Sequence, residues 1–346
     1  MRLLAAYLVL TAGTTIFAVS EIYSGSPVRK KDKVHADLKL FHPRITAEFL
    51  SSFKPTQLDF DMGWVIVDES ARRFPDRITA NDLRKSDPAK ATAEIKRPRI
   101  TNRGEFLWAE GPNDLATSKN SEGLAFVMAN DMDRAREIFE ELRKSEPQFF
   151  PGRFNLGRVY LYFKQHREAI AEFEKCAQLV PQYSKNYYYL GKSYELAARR
   201  DAADYNYLRA YKYDIYSLDA LVALGDSLLE QKRTVEALNA FKHCLKQDSG
   251  FNDALIGMGK VAYTMKKHYD ATLWFRTVDT KVTYKKELHF YYGESAFYSQ
   301  DYQTAARQYE AMLNFPQDAI YSKVSLLRMR KRLEQTKRLL NQTVDQ

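Results

Sequence analysis

"FNLGRVYLYFKQHREAIAEFEKCAQLVP", residues 154–181, decides the fold. It carries two helical patterns joined at "KQHRE", yet Gly157 sits inside the first. A glycine there destabilises a helix by about 1 kcal/mol relative to alanine, so a packing contact must offset it. Steps of 34 residues from Gly157 reach Gly191, Gly225, Gly259 and Gly293, and one step back reaches Gly123. Twelve residues after each glycine stands an alanine: Ala135, Ala169, Ala203, Ala237, Ala271 and Ala305. Four residues further stands an aromatic: Phe139, Phe173, Tyr207, Phe241, Phe275 and Tyr309. No position slips, so no loop carries an insertion.

A 34-residue period divided into two helical patterns means a stack of helix pairs, each burying its apolar stripe against the next. Over about Ala116 to Gln317 the chain resembles the tetratricopeptide repeat family. "LGRVY", "AIAEF" and Pro181 match its signature in one repeat, and "LGKSY" with "ADYNY" in the next. The resemblance implies an all-α fold, a right-handed α-solenoid of six helix-turn-helix repeats. The family's early tryptophan is absent, its place taken by Lys119, Arg153, Tyr187, Leu221, Leu255 and His289. Its closing proline survives as Pro147 and Pro181, with Ile215, Ser249 and Thr283 later and Pro316 one place early.

Counted from residue 116, positions 8, 11, 20, 24 and 27 of each repeat lie one or two helical turns apart and form the apolar stripe. Glycine at 8 and alanine at 20 let the backbones approach, and the aromatic at 24 fills the space beside them. Burial of one such ring contributes about 2 to 3 kcal/mol, more than the glycine costs. Cys176 and Cys244 both stand at position 27, two repeats apart. With neighbouring helices about 8 to 10 Å apart, they lie beyond the reach of a disulfide and read as buried structural thiols.

The 346 residues divide into 1–20, 21–115, 116–317 and 318–346. Arg2 followed by the uncharged stretch Leu3 to Ser20, with Ala18 and Ser20 placed for cleavage, has the form of a signal peptide. The alternative is an uncleaved membrane anchor. Either places the array outside the cytoplasm, periplasmic or extracellular. In 21–115, a weakly structured region, Leu58, Phe60, Met62, Trp64 and Ile66 alternate as on a half-buried strand, with "EFLWAE" (105–110) as its partner or both laid on the first repeat. Residues 84–104 read as an extended linker. From Asp318 a single helix caps the array, with Ile320, Val324, Leu327 and Leu333 covering the sixth repeat and the arginines in water. The sharper alternative lays this basic helix, with Arg330, Lys331 and Arg332, on an anionic membrane. Asn341-Gln-Thr343 matches a glycan acceptor pattern.

Net charge is +9, but the array holds 28 Lys and Arg against 26 Asp and Glu, and the last thirty residues hold 7 against 3. No basic stripe calls for nucleic acid. The six histidines lack metal-ligand spacing, and no phosphate loop or nucleophile elbow appears, so neither an enzyme nor a cofactor is expected. His166 and His268 stand at equivalent turns and read as solvated turn residues. The resemblance implies a protein or peptide partner held by first-helix positions 2, 5, 9, 12 and 13. Here these offer Phe154, Arg158, Tyr162, Lys185, Tyr188, Lys192, Asp226, Lys260, Tyr263, Phe290, Glu294, Phe297 and Tyr298. Arg158, Lys185 and Lys192 suit an acidic segment, whereas the aromatics at positions 5 and 12 equally suit packing between neighbouring first helices. Position 5 of the second to sixth repeats is Phe, Tyr, Val, Ile and Phe, which departs from the family's clamp for a terminal carboxylate. These readings describe an exported protein-interaction scaffold for envelope assembly, or a membrane-tethered assembly factor if residues 3–20 are retained.

Overall fold

Residues 44–53, 65–68, 99–103, 106–110, 115–278, 286–314 and 323–344 are described by the computed structural model and belong to one unit, Pro43–Gln346. Residues 1–20 and the signal or anchor reading lie outside the described residues. Six helix pairs follow one another: α2 (Leu115–Met128) with α3 (Met132–Ser145), α4 (Phe150–Tyr162) with α5 (His166–Leu179), and α6 (Ser184–Leu196) with α7 (Arg200–Tyr213). Then come α8 (Leu218–Glu230) with α9 (Thr234–Gln247), α10 (Asn252–Thr264) with α11 (His268–Arg276), and α12 (Lys286–Tyr298) with α13 (Tyr302–Leu313). A last helix, α14 (Lys323–Val344), packs on α13.

The six phased alanines and six phased aromatics are buried in the core. Each phased glycine faces the aromatic of its own repeat: a β-carbon on Gly157 would lie 2.8 Å from Phe173 Cζ, and one on Gly225 would lie 2.7 Å from Phe241 Cζ. Ring volume therefore replaces the missing side chain, which accounts for glycine in mid-helix. Between paired helices the chain enters the left-handed region at Asn130, Lys164, Ala198, Lys232, Lys266 and Gln300, again 34 apart. At one of these turns the Ala198 N–H donates to Glu195 O (2.9 Å) and the Arg199 N–H to Tyr194 O (2.8 Å), which satisfies the last carbonyls of α6. Both cysteines are buried and free; the thiols of Cys176 and Cys244 lie 4.0 and 3.9 Å from the carbonyls of Phe150 and Leu218, the opening residues of their repeats.

Residues in the tryptophan place find partners on the second helix of their own repeat. Lys119 pairs with Glu141, and Arg153 donates to Glu172 Oε2 at 2.6 Å. Arg209 lies 4.1 Å over the buried ring of Tyr187, and His289 Nδ1 is 2.7 Å from Gln308 Oε1. Leu221 and Leu255 are simply buried. The space left by one large indole is thus filled by pairs whose polar ends are matched.

The region before the array departs from its sequence reading in its strand pairing, while residues 105–110 do lie on the first repeat, one of the two arrangements expected. Three strands, β1 (Val65–Asp68), β2 (Arg99–Arg103) and β3 (Phe106–Glu110), form a sheet in that order, β1 parallel to β2 and β2 antiparallel to β3. Residues 106–110 form a strand, but its partner is 99–103, within the stretch expected to be an extended linker. Only Gly104 and Glu105 connect β2 to β3, and a two-residue link opening with glycine favours a hairpin. Of the alternating set 58–66, only Ile66 falls in a described strand.

Upstream, α1 (Ala47–Ser51) is capped by Thr46, whose hydroxyl accepts from the Phe49 N–H. It docks on α9: the Ile45 N–H donates to Glu236 Oε2 (2.7 Å), Asn239 Nδ2 donates to Ile45 O (3.0 Å), and Ile45 and Leu50 are buried. Residues 44–53 therefore strap the second helices of the third and fourth repeats, since Phe53 also meets Tyr211 edge-on at 5.9 Å.

The cap also departs from expectation. Leu333 packs on the sixth repeat, but the fully covered residues are Met329 and Thr336, and Leu327 is 55% exposed. Asp318 and Ile320 lie outside the described residues. Arg332 does not face water: its Nε lies 3.4 Å from Glu294 Oε1, and its Nη2 donates to the Tyr298 hydroxyl (2.8 Å).

Candidate functional site: the first-helix wall

Successive first helices meet at the junctions of repeats 1–2, 2–3, 4–5 and 5–6, where successive second helices stand farther apart, and together the first helices form one wall of the array. Three stretches of this wall differ in what covers them.

Over the first two repeats the cover is β3. Asn155 accepts from the Leu107 N–H (2.8 Å) and donates from Nδ2 to Leu107 O (2.8 Å), and Asn120 Nδ2 donates to the same carbonyl (3.1 Å). Asn155 Nδ2 also donates to Asn120 Oδ1 at 2.9 Å, so two buried amides hold one strand residue by its main chain. Beside them the Arg158 guanidinium lies 3.9 Å over Tyr189 and 5.5 Å over Phe106. Burial pulls Arg158 below its ordinary value, opposed by Tyr189 and Tyr188.

Over the sixth repeat the cover is Arg332. Its guanidinium lies 4.5 Å over Phe297 and 5.4 Å over Tyr298, besides meeting Glu294. Glu294 is fully buried and also accepts from the Tyr309 hydroxyl (2.7 Å). Tyr298 stacks on His268 at 4.7 Å, so His268 belongs to this cluster and is not a solvated turn residue.

Between these covers lies a cleft of about 200 Å³, lined by Tyr188 of α6, Asp219, Val222, Ala223 and Asp226 of α8, Asp253, Ile256 and Lys260 of α10, and Glu287 of α12. Lys260 donates to Asp226 (2.7 Å) and reaches Glu287 (3.3 Å). Burial would lower the Lys260 ammonium, but Asp226 and Glu287 hold it above its ordinary value. Burial raises the Asp226 carboxyl against the pull of Lys260, and pushes the Tyr188 phenol up to about 12. Four carboxyl groups and one ammonium line the cleft.

The thirteen sequence candidates thus separate. Tyr188, Asp226 and Lys260 meet at the cleft, and Tyr263 stands beside it against Tyr291 (5.3 Å). Lys185 and Lys192 are half-buried on α6; burial, then the charge of Arg158, lowers Lys192. Phe154 is not a wall residue, because it is buried among Phe150, Phe173, Tyr183 and Tyr189. Arg158 is sandwiched by the chain's own rings, and Tyr162 is 56% exposed at the end of α4 against Phe163. Phe290 packs into the last core cluster, while Glu294, Phe297 and Tyr298 are engaged by α14.

Missed from the sequence were Asn120, Asn155, Asp219, Asp253, Glu287 and Arg332. A signal existed for three of them: Asp219, Asp253 and Glu287 all occupy position 2, spaced by 34. Among the described residues no group of three or more His, Cys, Asp or Glu could hold a metal ion, and no helix is long and apolar enough to cross a membrane.

No curated protein matches the chain in sequence. The family model for the tetratricopeptide repeat matches residues 120–184. Among solved structures, PilW, described as a widely conserved type IV pilus biogenesis factor, is 17% identical with a TM-score of 0.54, covering 63% of this chain and 100% of that one. PilF of Pseudomonas aeruginosa is 14% identical with a TM-score of 0.52, covering 62% and 96%. The Cut9–Hcn1 assembly of APC/C is 15% identical with a TM-score of 0.55, covering 77% and 50%. At these identities the likeness is one of fold. Six glycine–aromatic helix pairs stand in a single register and the family model matches within them, so the array has the tetratricopeptide-repeat fold.

Proposed function

We propose that this protein is a scaffold that holds a segment of a partner protein against its first-helix wall, in the stretch between β3 and Arg332. The observation that carries the reading is the cleft at Tyr188, Asp226 and Lys260, which lies on four successive first helices between two stretches already covered by the chain itself. A concave surface with an aromatic anchor and a charged rim suits peptide capture. The test is a photo-crosslinking residue at Tyr188 in the native host; a discrete adduct is expected, and an adduct-free protein with Tyr162 giving the discrete product would overturn the reading.

Export to the outside of the cytoplasm, and a role in assembling envelope structures, belong to the same proposal and are supported by the composition of residues 2–20. The intact mass of the mature chain distinguishes a cleaved leader from a retained tether.

A further inference from the structure

Residues 44–53 lie on the second-helix face of the array as a bound peptide lies on a receptor. Helix α1 has five residues, too short to hold its shape alone, so that shape is acquired on docking. The main chain of Ile45 is read at both ends, its N–H by Glu236 Oε2 (2.7 Å) and its carbonyl by the Asn239 amide (3.0 Å). Ile45 and Leu50 are buried and Phe53 stands edge-on to Tyr211, while Ala47, Glu48, Ser51 and Ser52 are exposed.

The array builds both ends of this site without help from the segment. Arg233 grips Glu236 through Nε to Oε1 and Nη2 to Oε2, both at 2.8 Å, which aims the carboxylate. Arg233 Nη1 also lies 3.7 Å from Asp204 of α7, so two helices support the clamp. At the other end the Tyr211 hydroxyl meets His243 Nε2 (2.7 Å) and accepts from Gln247 Nε2 (2.9 Å), both on α9, which fixes the ring that Phe53 touches. Stacking of the repeats does not demand the clamp. The places of Glu236 and Asn239 hold Ala202 and Tyr205 in the third repeat, and Asp270 and Leu273 in the fifth. An acceptor, a donor and a ring held ready on two helices make a preorganised binding site, for which residues 44–53 are one ligand.

We infer that the face of α7 and α9 is a second peptide-binding site and that its ligand is a segment of a partner protein. That segment has the chemistry of residues 44–53: an extended apolar residue, a hydroxyl-capped helical turn, an apolar residue five places on and an aromatic eight places on. Residues 44–53 are its built-in competitor. The site lies on second helices, apart from the first-helix reading above, and neither depends on the other. Being tethered, the chain's own segment acts at a high effective concentration, so a partner must displace it.

A fluorescein-labelled, acetylated peptide of residues 44–53 is the probe, with binding to the full chain read by fluorescence anisotropy. The full chain carrying Ile45→Asp and Leu50→Asp, which vacate the face, is expected to bind it about tenfold or more tightly than the unaltered chain. Adding Glu236→Ala and Asn239→Leu, residues that neighbouring repeats carry at these places, should weaken that binding about tenfold. Glutamine at the peptide's exposed positions 47, 48, 51 and 52 should leave affinity within about twofold, whereas Ile45→Ser with Leu50→Ser in the peptide should abolish binding. In the unaltered chain, excess unlabelled peptide should raise amide exchange at Leu50 by displacing it, a readout that needs no variant. No binding to the vacated chain, or binding indifferent to Glu236→Ala with Asn239→Leu, would overturn the inference. A dimer of the unaltered chain in light scattering that the peptide dissolves would assign the face to exchange of this segment between two copies, and would overturn the partner reading.

Discussion

A β-carbon on Gly191 would stand 2.6 Å from Cδ1 of Tyr207 and 3.2 Å from the carbonyl oxygen of Ala203. The ring can yield only by leaving its buried site, and the carbonyl belongs to helix α7. Gly191→Leu should therefore overpack the third repeat and destabilise the array by about 1 to 3 kcal/mol. Thermal unfolding followed by circular dichroism checks this, and an unchanged midpoint would contradict the packing assignment.

Tyr309 and Tyr207 break the phenylalanine habit of their position, and each hydroxyl finds a glutamate on the preceding helix, Glu294 (2.7 Å) and Glu195 (2.6 Å). By the repeat pattern alone, Tyr309→Phe looks harmless. It should instead cost about 1 to 2 kcal/mol, because buried Glu294 loses a donor and keeps Arg332 at longer range. Denaturant unfolding of Tyr309→Phe measures the loss; wild-type stability would mean that the hydroxyl contributes nothing.

These two contacts show where the sequence was legible. Glycine, alanine and aromatic at fixed spacing are a steric code, so the helix pairs and the buried cysteines followed from periodicity, and the first-helix wall from the family resemblance. The covering of that wall was legible only in part: residues 105–110 on the first repeat were one of two expected arrangements, but the asparagine pair that holds them and the place of Arg332 did not follow, because they depend on contacts distant in sequence or on a cap's rotation. Leu327 and Arg332 illustrate the second case: a helical stripe identifies an apolar face, but a long, sparsely apolar helix can settle on Met329 and Thr336 instead. The position-2 acids were legible and were missed, since charge on a first helix looks the same whether it is solvated or lines a cleft.

The strap over the outer face should respond to acid. Partial burial would raise the Glu236 carboxyl, but hydrogen bonds from Arg233 (2.8 Å) and from the Ile45 N–H outweigh it and hold the group below its ordinary value. A carboxylate lowered in the folded state contributes stability that is complete above its unfolded value, about 4.3, and is lost as pH falls through the folded value. Hydrogen-exchange protection at Ile45 and Leu50 is expected to fall between about pH 5 and 3 while the repeats stay protected. In Glu236→Gln that pH dependence should disappear; its persistence would assign the effect to another group.

Asn155 gives the sharpest test of the covered wall. Its amide serves both the N–H and the C=O of Leu107, and only Asn120 remains for the carbonyl if it is removed. Asn155→Ala leaves the Leu107 N–H without that acceptor at a buried site, at a cost of about 1 to 3 kcal/mol, comparable to what a five-residue strand gains by docking. The strand should leave the wall while the helix pairs, held by their own glycine–aromatic contacts, persist. Amide exchange at Leu107 and Ala109 would then rise by about tenfold or more, with the phased aromatics of the repeats unaffected. Retained protection at Leu107 in Asn155→Ala would show that apolar burial of its side chain, not the paired amides, keeps β3 in place.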